Sequence, residues 1–140
     1  MVNSIRKGKR GELEAAAYLH GLGFIDARRS QQYNGLGHGD VICEHTLPNL
    51  HIEVKFGYSV KKNGKVVQDM HCSSTAMRDA LLKVGRDAGG GPWALLWKPD
   101  GYRQWRCTAR INGLLSHFAD DDTIKAVLLE LDGSGGIIDD

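Results

Sequence analysis

The chain has 140 residues, 41% of them hydrophobic and 25% charged, and its formal net charge is +1. This length and composition are those of one ordinary globular domain, whose core can form without disulfides. No apolar run approaches the roughly 18 residues of a membrane-spanning helix, and the N-terminus lacks the apolar stretch of a signal peptide, so we expect a cytoplasmic protein.

Turn residues and hydrophobic periodicity divide the chain into helices and strands. A first helix is predicted from side chains that recur at helical spacing, namely Leu13, Ala16, Ala17 and His20. Turns are predicted at Pro48-Asn49, Asn63-Gly64 and Pro99-Asp100-Gly101. In chain order, we predict a helix at 11–20, strands at 24–29, 40–44 and 50–56, a hairpin at 60–67, a helix at 68–88, strands at 92–97 and 102–107, and a helix at 123–131.

The order of these elements and the distribution of charge predict the domain organisation. Helices separated by short-connected strands indicate an α/β or α+β fold with a central mixed sheet. Residues 1–118 carry a net charge of +7 and residues 119–140 a net charge of −6. We therefore predict one domain over residues 1–118 and a partly disordered acidic tail over residues 119–140. The basic body favours a polyanionic partner, and the alternative is a solvated surface without one.

The three cysteines predict no disulfide framework. Cys43, Cys72 and Cys107 are odd in number and widely spaced, as expected of reduced cytosolic thiols. A zinc site built from them and the neighbouring histidines would match no structural zinc spacing.

The predicted strand at 50–56 carries the most informative side chains. Successive residues of a strand point to opposite faces. His51, Glu53 and Lys55 therefore share one face, and the apolar residues between them face the core.

The preceding strand can bring a second carboxylate to this face. If the turn places His45 opposite Leu50, then Asp40 lies opposite Lys55 and next to Glu53. A register slip of one residue would break this cluster. Two carboxylates with a lysine suit Mg²⁺ and the hydrolysis of a phosphodiester. The alternative is a cross-strand salt bridge, which contributes roughly 0.2–1 kcal/mol.

The same residues resemble a known nuclease motif. Gly39-Asp40, twelve intervening residues and Glu53-Val54-Lys55 resemble the signature of the PD-(D/E)XK nuclease superfamily. Further motifs are similar to those of archaeal-type Holliday-junction resolvases, some of which are phage-encoded. They are Arg6-Lys7-Gly8, Glu12, Gly23-Phe24, the helix after Gln68, the Gly-Gly-Pro-Trp segment at 90–93 and Trp105. The resemblance covers residues 6 to about 107.

The resemblance implies a restriction-endonuclease-like core and a role for each residue of the motif. Asp40 and Glu53 would be the metal ligands for Mg²⁺, which Mn²⁺ could replace, with the Val54 carbonyl as a third ligand. Lys55 would be the catalytic lysine, and Glu12 would reach the metal from the first helix through a water. Gly39 departs from the motif, because the family has a proline there.

The basic side chains supply candidate contacts to DNA. Cations that contact phosphates give affinity without sequence information. Some members of the family also place a functional serine in the loop that Ser30 begins, and His38 and Gln68 are left open as further site residues. The candidates are Arg6, Lys7, Lys9, Arg10, Arg29, Ser30, Lys61, Lys62 and Lys65. For Arg29, structural pairing is an equal alternative.

The resulting hypothesis is a structure-selective endodeoxyribonuclease that resolves four-way DNA junctions in recombination and repair. The protein would act as a homodimer in the cytoplasm, or in the host cytoplasm if it is phage-encoded. Its alternatives are another nuclease of the superfamily that cuts duplex or flap DNA, a non-catalytic DNA-binding module, and a structural protein. The residues predicted to form the dimer interface are Leu81, Leu82, Trp93, Leu95 and Trp97.

Overall fold

The protein is described by a computed structural model. It covers residues 4–30, 39–57, 59–63, 65–69, 74–99 and 101–134, and the side chains of 4–7, 59–62 and 65–69 are outside the description. The helices are α1 (Ser4–Gly21), α2 (Thr75–Asp87) and α3 (Asp121–Asp132). The strands are β1 (Arg28–Arg29), β2 (Val41–Cys43), β3 (Leu47–Phe56), β4 (Ser59–Lys62), β5 (Lys65–Asp69), β6 (Trp93–Lys98), β7 (Arg106–Ile111) and β8 (Leu114–Phe118).

A mixed sheet forms the centre of the fold. Its six strands lie in the order β1-β2-β3-β6-β7-β8, while β4 and β5 form a separate hairpin. β3 and β6 are parallel, and the other neighbours in the sheet are antiparallel. This confirms an α+β fold with a central mixed sheet.

Helices cover both faces of this sheet. Ile52 and Val54 of β3 and Leu96 of β6 belong to a core cluster that they share with α1 and α3. Leu95 and Trp97 of β6 point the other way and pack against α2. Because side chains alternate along a strand, residues 51, 53 and 55 of β3 lie on the same face as α2.

The buried stripe of α1 differs from the predicted one. Leu13 is 51% exposed, and the helix instead buries Ala15, Ala16 and Leu19. The prediction was wrong because helical spacing alone does not decide which of the consecutive alanines at 15–17 face the core. The helix is rotated so that its smallest side chains approach the sheet, where a Cβ on Gly11 would lie 2.8 Å from Cγ of Phe56.

The turn between β2 and β3 also lies elsewhere than predicted. Pro48-Asn49 is part of β3, and residues 44–46 make the turn. Asp26 holds that turn, since its carboxylate accepts hydrogen bonds from the backbone nitrogens of His45 (2.6 Å) and Thr46 (3.2 Å). The deciding contact therefore comes from a residue distant in sequence.

The hairpin predicted between β3 and α2 is confirmed, whereas α2 is shorter than the predicted helix. β4 and β5 pair around Asn63, whose φ of 53° is typical of a tight hairpin turn. Gln68 pairs with Val60 in this hairpin, so the predicted helix start at residue 68 is wrong. α2 begins at Thr75, because the Ser74 side chain caps it by accepting a hydrogen bond from the nitrogen of Met77.

The C-terminal third contains one strand more than predicted. β7 starts at Arg106 and not at Tyr102, and β8 follows after a turn at Asn112-Gly113, where φ is 51° and 80°. The predicted last helix is confirmed as α3, which buries Ile124 and Leu128 in the main core. Most of the described part of the acidic segment is therefore a packed helix.

Two further findings concern the whole described chain. Cys43 and Cys107 are buried free thiols, as predicted, while Cys72 lies outside the described residues. Among the described helices, none is long and apolar enough to cross a membrane.

Candidate active site

Asp40 and Glu53 lie side by side on the sheet face that α2 covers. β2 pairs with β3 through Val41 and Ile52, which brings Asp40 to the level of Glu53. The Asp40 nitrogen donates to the carbonyl of Ile52 (2.8 Å), and its Oδ2 accepts from the nitrogen of Val54 (2.8 Å). One hydrogen bond therefore fixes the backbone of Asp40 and the other fixes its carboxyl group, both to the backbone of β3.

The two carboxyl groups share a hydrogen bond, and their pKa values move apart. Burial raises the pKa of Asp40 to about 7, and the charge of Glu53 adds to the effect. Burial acts in the same direction on Glu53, but hydrogen bonds from His51 and Asp40 and the charge of Lys83 outweigh it, so the pKa of Glu53 is lowered. Below about pH 7, the pair therefore holds one proton in the absence of a cation.

One oxygen of Glu53 is buried without a hydrogen-bond partner. The residue is 4% exposed, and its Oε1 lies 2.8 Å from Nε2 of His51, which must donate to an ionised carboxylate. Outside the carboxyl pair itself, its Oε2 accepts no hydrogen bond, and Nζ of Lys83 lies 3.8 Å from it. An unsatisfied buried carboxylate oxygen is costly, and a bound cation would satisfy it.

Glu12 approaches this pair from α1. Its charge contributes to the raised pKa of Asp40, which places the two carboxylates near each other. Its own Oε1 accepts a hydrogen bond from Nε of Arg29 (2.7 Å). Asp40 and Glu53 are thus in contact, and Glu12 of α1 acts on Asp40 through its charge.

Lys55 occupies the predicted position on the same strand. It is half-buried and follows Glu53 by two residues, so both side chains leave the same face of β3. In the register of the parallel pair, Lys55 lies beside Trp97 of β6. Val54, between them, is buried in the core and holds Asp40 through its backbone nitrogen.

The donor set suits a hard cation with few protein ligands. Among the described residues, no group of three or more histidine, cysteine, aspartate or glutamate side chains is arranged to hold a metal. Mg²⁺ commonly binds through one or two carboxylates and keeps several waters. The pair Asp40 and Glu53, with the unpartnered Oε2, fits that requirement.

Gly39 allows Asp40 to approach β3 closely. A Cβ at residue 39 would lie 2.7 Å from the nitrogen and 2.8 Å from the carbonyl carbon of Ile52, and closer still to its carbonyl oxygen. A proline at this position, as in the nuclease motif that the sequence resembles, would meet the same backbone atoms. Glycine is therefore required here by the close contact with the neighbouring strand.

We predict that Gly39→Ala displaces Asp40 from Glu53. The strands must separate to admit the methyl group, which should lower the free energy of unfolding by about 1–3 kcal/mol. Thermal unfolding measures this change. Gly85→Ala is the matched control, because a Cβ at that exposed position of α2 meets no atom within 4 Å. Equal melting temperatures of both variants would contradict the prediction.

The residues predicted to contact DNA differ in their surroundings. Lys9 and Arg10 are exposed on α1, and Arg10 lies over the ring of Phe56 and 3.6 Å from Glu14. Arg29 is engaged in the ion pair with Glu12, and the nitrogen of Ser30 donates to the carbonyl of Asp40 (2.9 Å). For the remaining candidates, the side chains lie outside the described residues, as does all of His38. They are Arg6, Lys7, Lys61, Lys62 and Lys65.

Two residues near the carboxylates were not predicted as part of the site. Lys83 reaches Glu53 from α2, and its position depends on how the helix packs. His51, which shares a strand face with Glu53, pairs with it. Its position two residues before Glu53 on one strand is the sequence signal that indicates this contact.

The residues predicted for a dimer interface are divided by the structure. Leu95 and Trp97 are buried beneath α2, so they are wrong as interface residues of this fold. Leu81 and Trp93 are partly buried around the same cluster, and Leu82 is 63% exposed. The exposed part of the predicted surface is therefore small.

Comparisons with known proteins do not assign a function to this site. No protein-family model, no curated protein and no solved structure matches the chain at a significant level. The functional argument therefore rests on the chemistry of the residues themselves.

Proposed function

We propose that the protein is a Mg²⁺-dependent endodeoxyribonuclease that resolves four-way DNA junctions. The observation that carries this proposal is the carboxyl pair of Asp40 and Glu53, with a buried Glu53 oxygen that lacks a hydrogen-bond partner. Glu12 and Lys55 complete the set that the nuclease motif requires. A cross-strand salt bridge alone would not place two carboxyl groups in contact.

The residues have separate tasks in the proposed hydrolysis. Asp40 and Glu53 would hold the cation, with the Val54 carbonyl as a further ligand, and Glu12 would orient a water. Bound Mg²⁺ supplies charge that stabilises the phosphoryl oxygens and makes a water more acidic. Lys55 positions the attacking water. The water oxygen bonds to phosphorus, the bond to one bridging oxygen breaks, and that oxygen takes up a proton.

The substrate and the assembly follow from the geometry of a junction. Two strands of a four-way junction must be nicked at symmetric positions, and one chain supplies one set of Asp40, Glu53 and Lys55. We therefore propose a two-fold symmetric homodimer with a restriction-endonuclease-like core, which acts in the cytoplasm. The basic body of the chain provides the affinity for phosphates.

Cleavage of a synthetic four-way junction tests the proposal. The junction and a linear duplex of matched sequence are incubated with the protein in Mg²⁺ and, separately, in EDTA. We expect paired nicks in the junction, in Mg²⁺ only, and an intact duplex. Cleavage of the duplex alone would favour another nuclease of the superfamily, and tight binding without cleavage would favour a DNA-binding module.

A further inference from the structure

Arg106 lies in line with the proposed site on the same face of the sheet. Lys55 of β3 is beside Trp97 of β6, and Trp97 is opposite Arg106 of β7. Residues paired in this way point to the same face, so these three side chains form one row. The row spans two strand spacings, about 10 Å.

The guanidinium group of Arg106 rests on aromatic rings. Its Cζ lies 5.0 Å from the ring centre of Tyr102 and 5.9 Å from that of Trp97. Its Nε is buried and has no hydrogen-bond acceptor. Stacking thus holds the charged plane in place but leaves a strong donor unsatisfied.

The ring beneath Arg106 is itself fixed. Nε1 of Trp97 donates to Oγ1 of Thr108 (2.9 Å), and Nδ1 of His117 lies 2.7 Å from the same hydroxyl. Trp97 is 1% exposed, so its position is set by the core. Arg106 therefore lies on a rigid support, which lowers the entropic cost of binding a ligand there.

The surroundings of Arg106 suit an anion. A cavity of about 320 Å³ is bounded by Gly101, Tyr102, Arg103, Gln104 and Arg106. Within the described part of the chain, no carboxylate forms an ion pair with Arg103 or Arg106. Two guanidinium groups beside one cavity, with no carboxylate against either, form a site for a phosphate group.

We propose that Arg106 binds a phosphate of the DNA strand that is being cut, near the bond at the carboxylate pair. This inference rests on the proposed function and adds a substrate contact to it. Successive phosphates rise about 3.4 Å along each strand, so the row from Lys55 to Arg106 spans about three nucleotides. The contact would fix the direction in which the strand runs away from the carboxylate pair.

Binding of a labelled four-way junction in EDTA tests this contact without cleavage. Anisotropy titrations at several salt concentrations give the slope of log K against log salt. For Arg106→Gln, we expect this slope to shrink by about 0.9 and the affinity at low salt to fall about tenfold. Arg106→Lys keeps the charge and should retain the slope of the unmodified protein.

Arg110→Gln is the matched control. Arg110 lies on the same strand, is exposed, and uses its Nη1 on the carbonyl of Gly113 at the far end of β7. Its replacement removes the same charge, and the slope should stay unchanged. An equal loss of slope in Arg106→Gln and Arg110→Gln would overturn the assignment of a site to Arg106.

The remaining outcomes separate this inference from the proposed function. A protein that binds no DNA in EDTA would overturn both. Normal binding with an unchanged slope in Arg106→Gln would overturn the inference alone. If Arg106→Gln does not fold, NMR of the unmodified protein gives the answer. The Arg106 Nε–H signal should then shift on addition of a short duplex, and a constant signal while the duplex binds would overturn the inference.

Discussion

Asp40→Asn and Glu53→Gln are each expected to reduce junction cleavage by at least about a hundredfold. Each change removes a negative charge from the pair that would hold the cation, while both amides remain similar in size to the acids. Binding of the junction in EDTA should be unchanged or slightly tighter, because the affinity comes from cations elsewhere. Initial rates of nicking in Mg²⁺ and anisotropy in EDTA measure the two effects separately.

Glu44→Gln is the control for these variants. Glu44 is an exposed carboxylate that follows β2 directly and pairs with Arg28, away from the two buried carboxyl groups. Its replacement removes the same charge and should leave the cleavage rate unchanged. Substantial Mg²⁺-dependent cleavage by both Asp40→Asn and Glu53→Gln would remove the site assignment.

The clustering of the carboxylates was predictable from the sequence, although their register was not. The predicted register set Asp40 opposite Lys55, whereas the observed pairing of Val41 with Ile52 sets it opposite Glu53. The error is two residues, and a shift of two leaves every side chain on its original face. The alternation of side chains along a strand therefore predicts which face carries the site more securely than it predicts which residues lie opposite each other.

Other parts of the fold depend on contacts between distant segments. The turn before β3 is decided by Asp26, and the end of α3 is tied to β3, because Asp132 accepts a hydrogen bond from the nitrogen of Asn49. The start of α2 depends on the Ser74 cap, which competes with a helical pattern that begins earlier. Local periodicity carries no information on such contacts, so the predicted boundaries failed there.

The two residues that surround Glu53 illustrate the same distinction. The contact of His51 with Glu53 follows from their positions on one strand, because residues two apart share a face. The contact of Lys83 requires the packing of α2 against the sheet, which no pattern within α2 specifies. The contact within one strand was therefore predictable from the sequence, whereas the contact with the helix was not.

In EDTA, Asp40→Asn is expected to be more stable than the unmodified protein at pH 8. The folded protein raises the pKa of Asp40 from 3.8 to about 7, so ionising this group opposes folding. Asparagine has no such charge, and its side-chain oxygen can still accept from the nitrogen of Val54. We expect an increase of about 2 kcal/mol in the free energy of unfolding, or about 5–10 °C in melting temperature.

The difference should depend on pH with a defined sign. Below about pH 4 Asp40 is protonated in both the folded and the unfolded chain, so its charge does not affect stability. Between about pH 4 and pH 7 the unfolded chain ionises first, and the unmodified protein loses stability as the pH rises. Glu53, whose pKa is lowered, offsets part of this loss. The two melting curves should therefore converge near pH 4 and separate up to about pH 7.

Addition of Mg²⁺ distinguishes a cation site from an isolated pair of acids. A bound cation lets both carboxyl groups ionise and supplies a partner for Oε2 of Glu53, so it should raise the melting temperature of the unmodified protein at pH 8. The same addition should have little effect on Asp40→Asn, since one ligand charge is gone. Parallel pH curves for the two proteins would show that the carboxyl pair does not share a proton. An equal response of both proteins to Mg²⁺ would show that the pair does not bind the ion. The measurement requires no DNA, so it tests the site independently of the substrate.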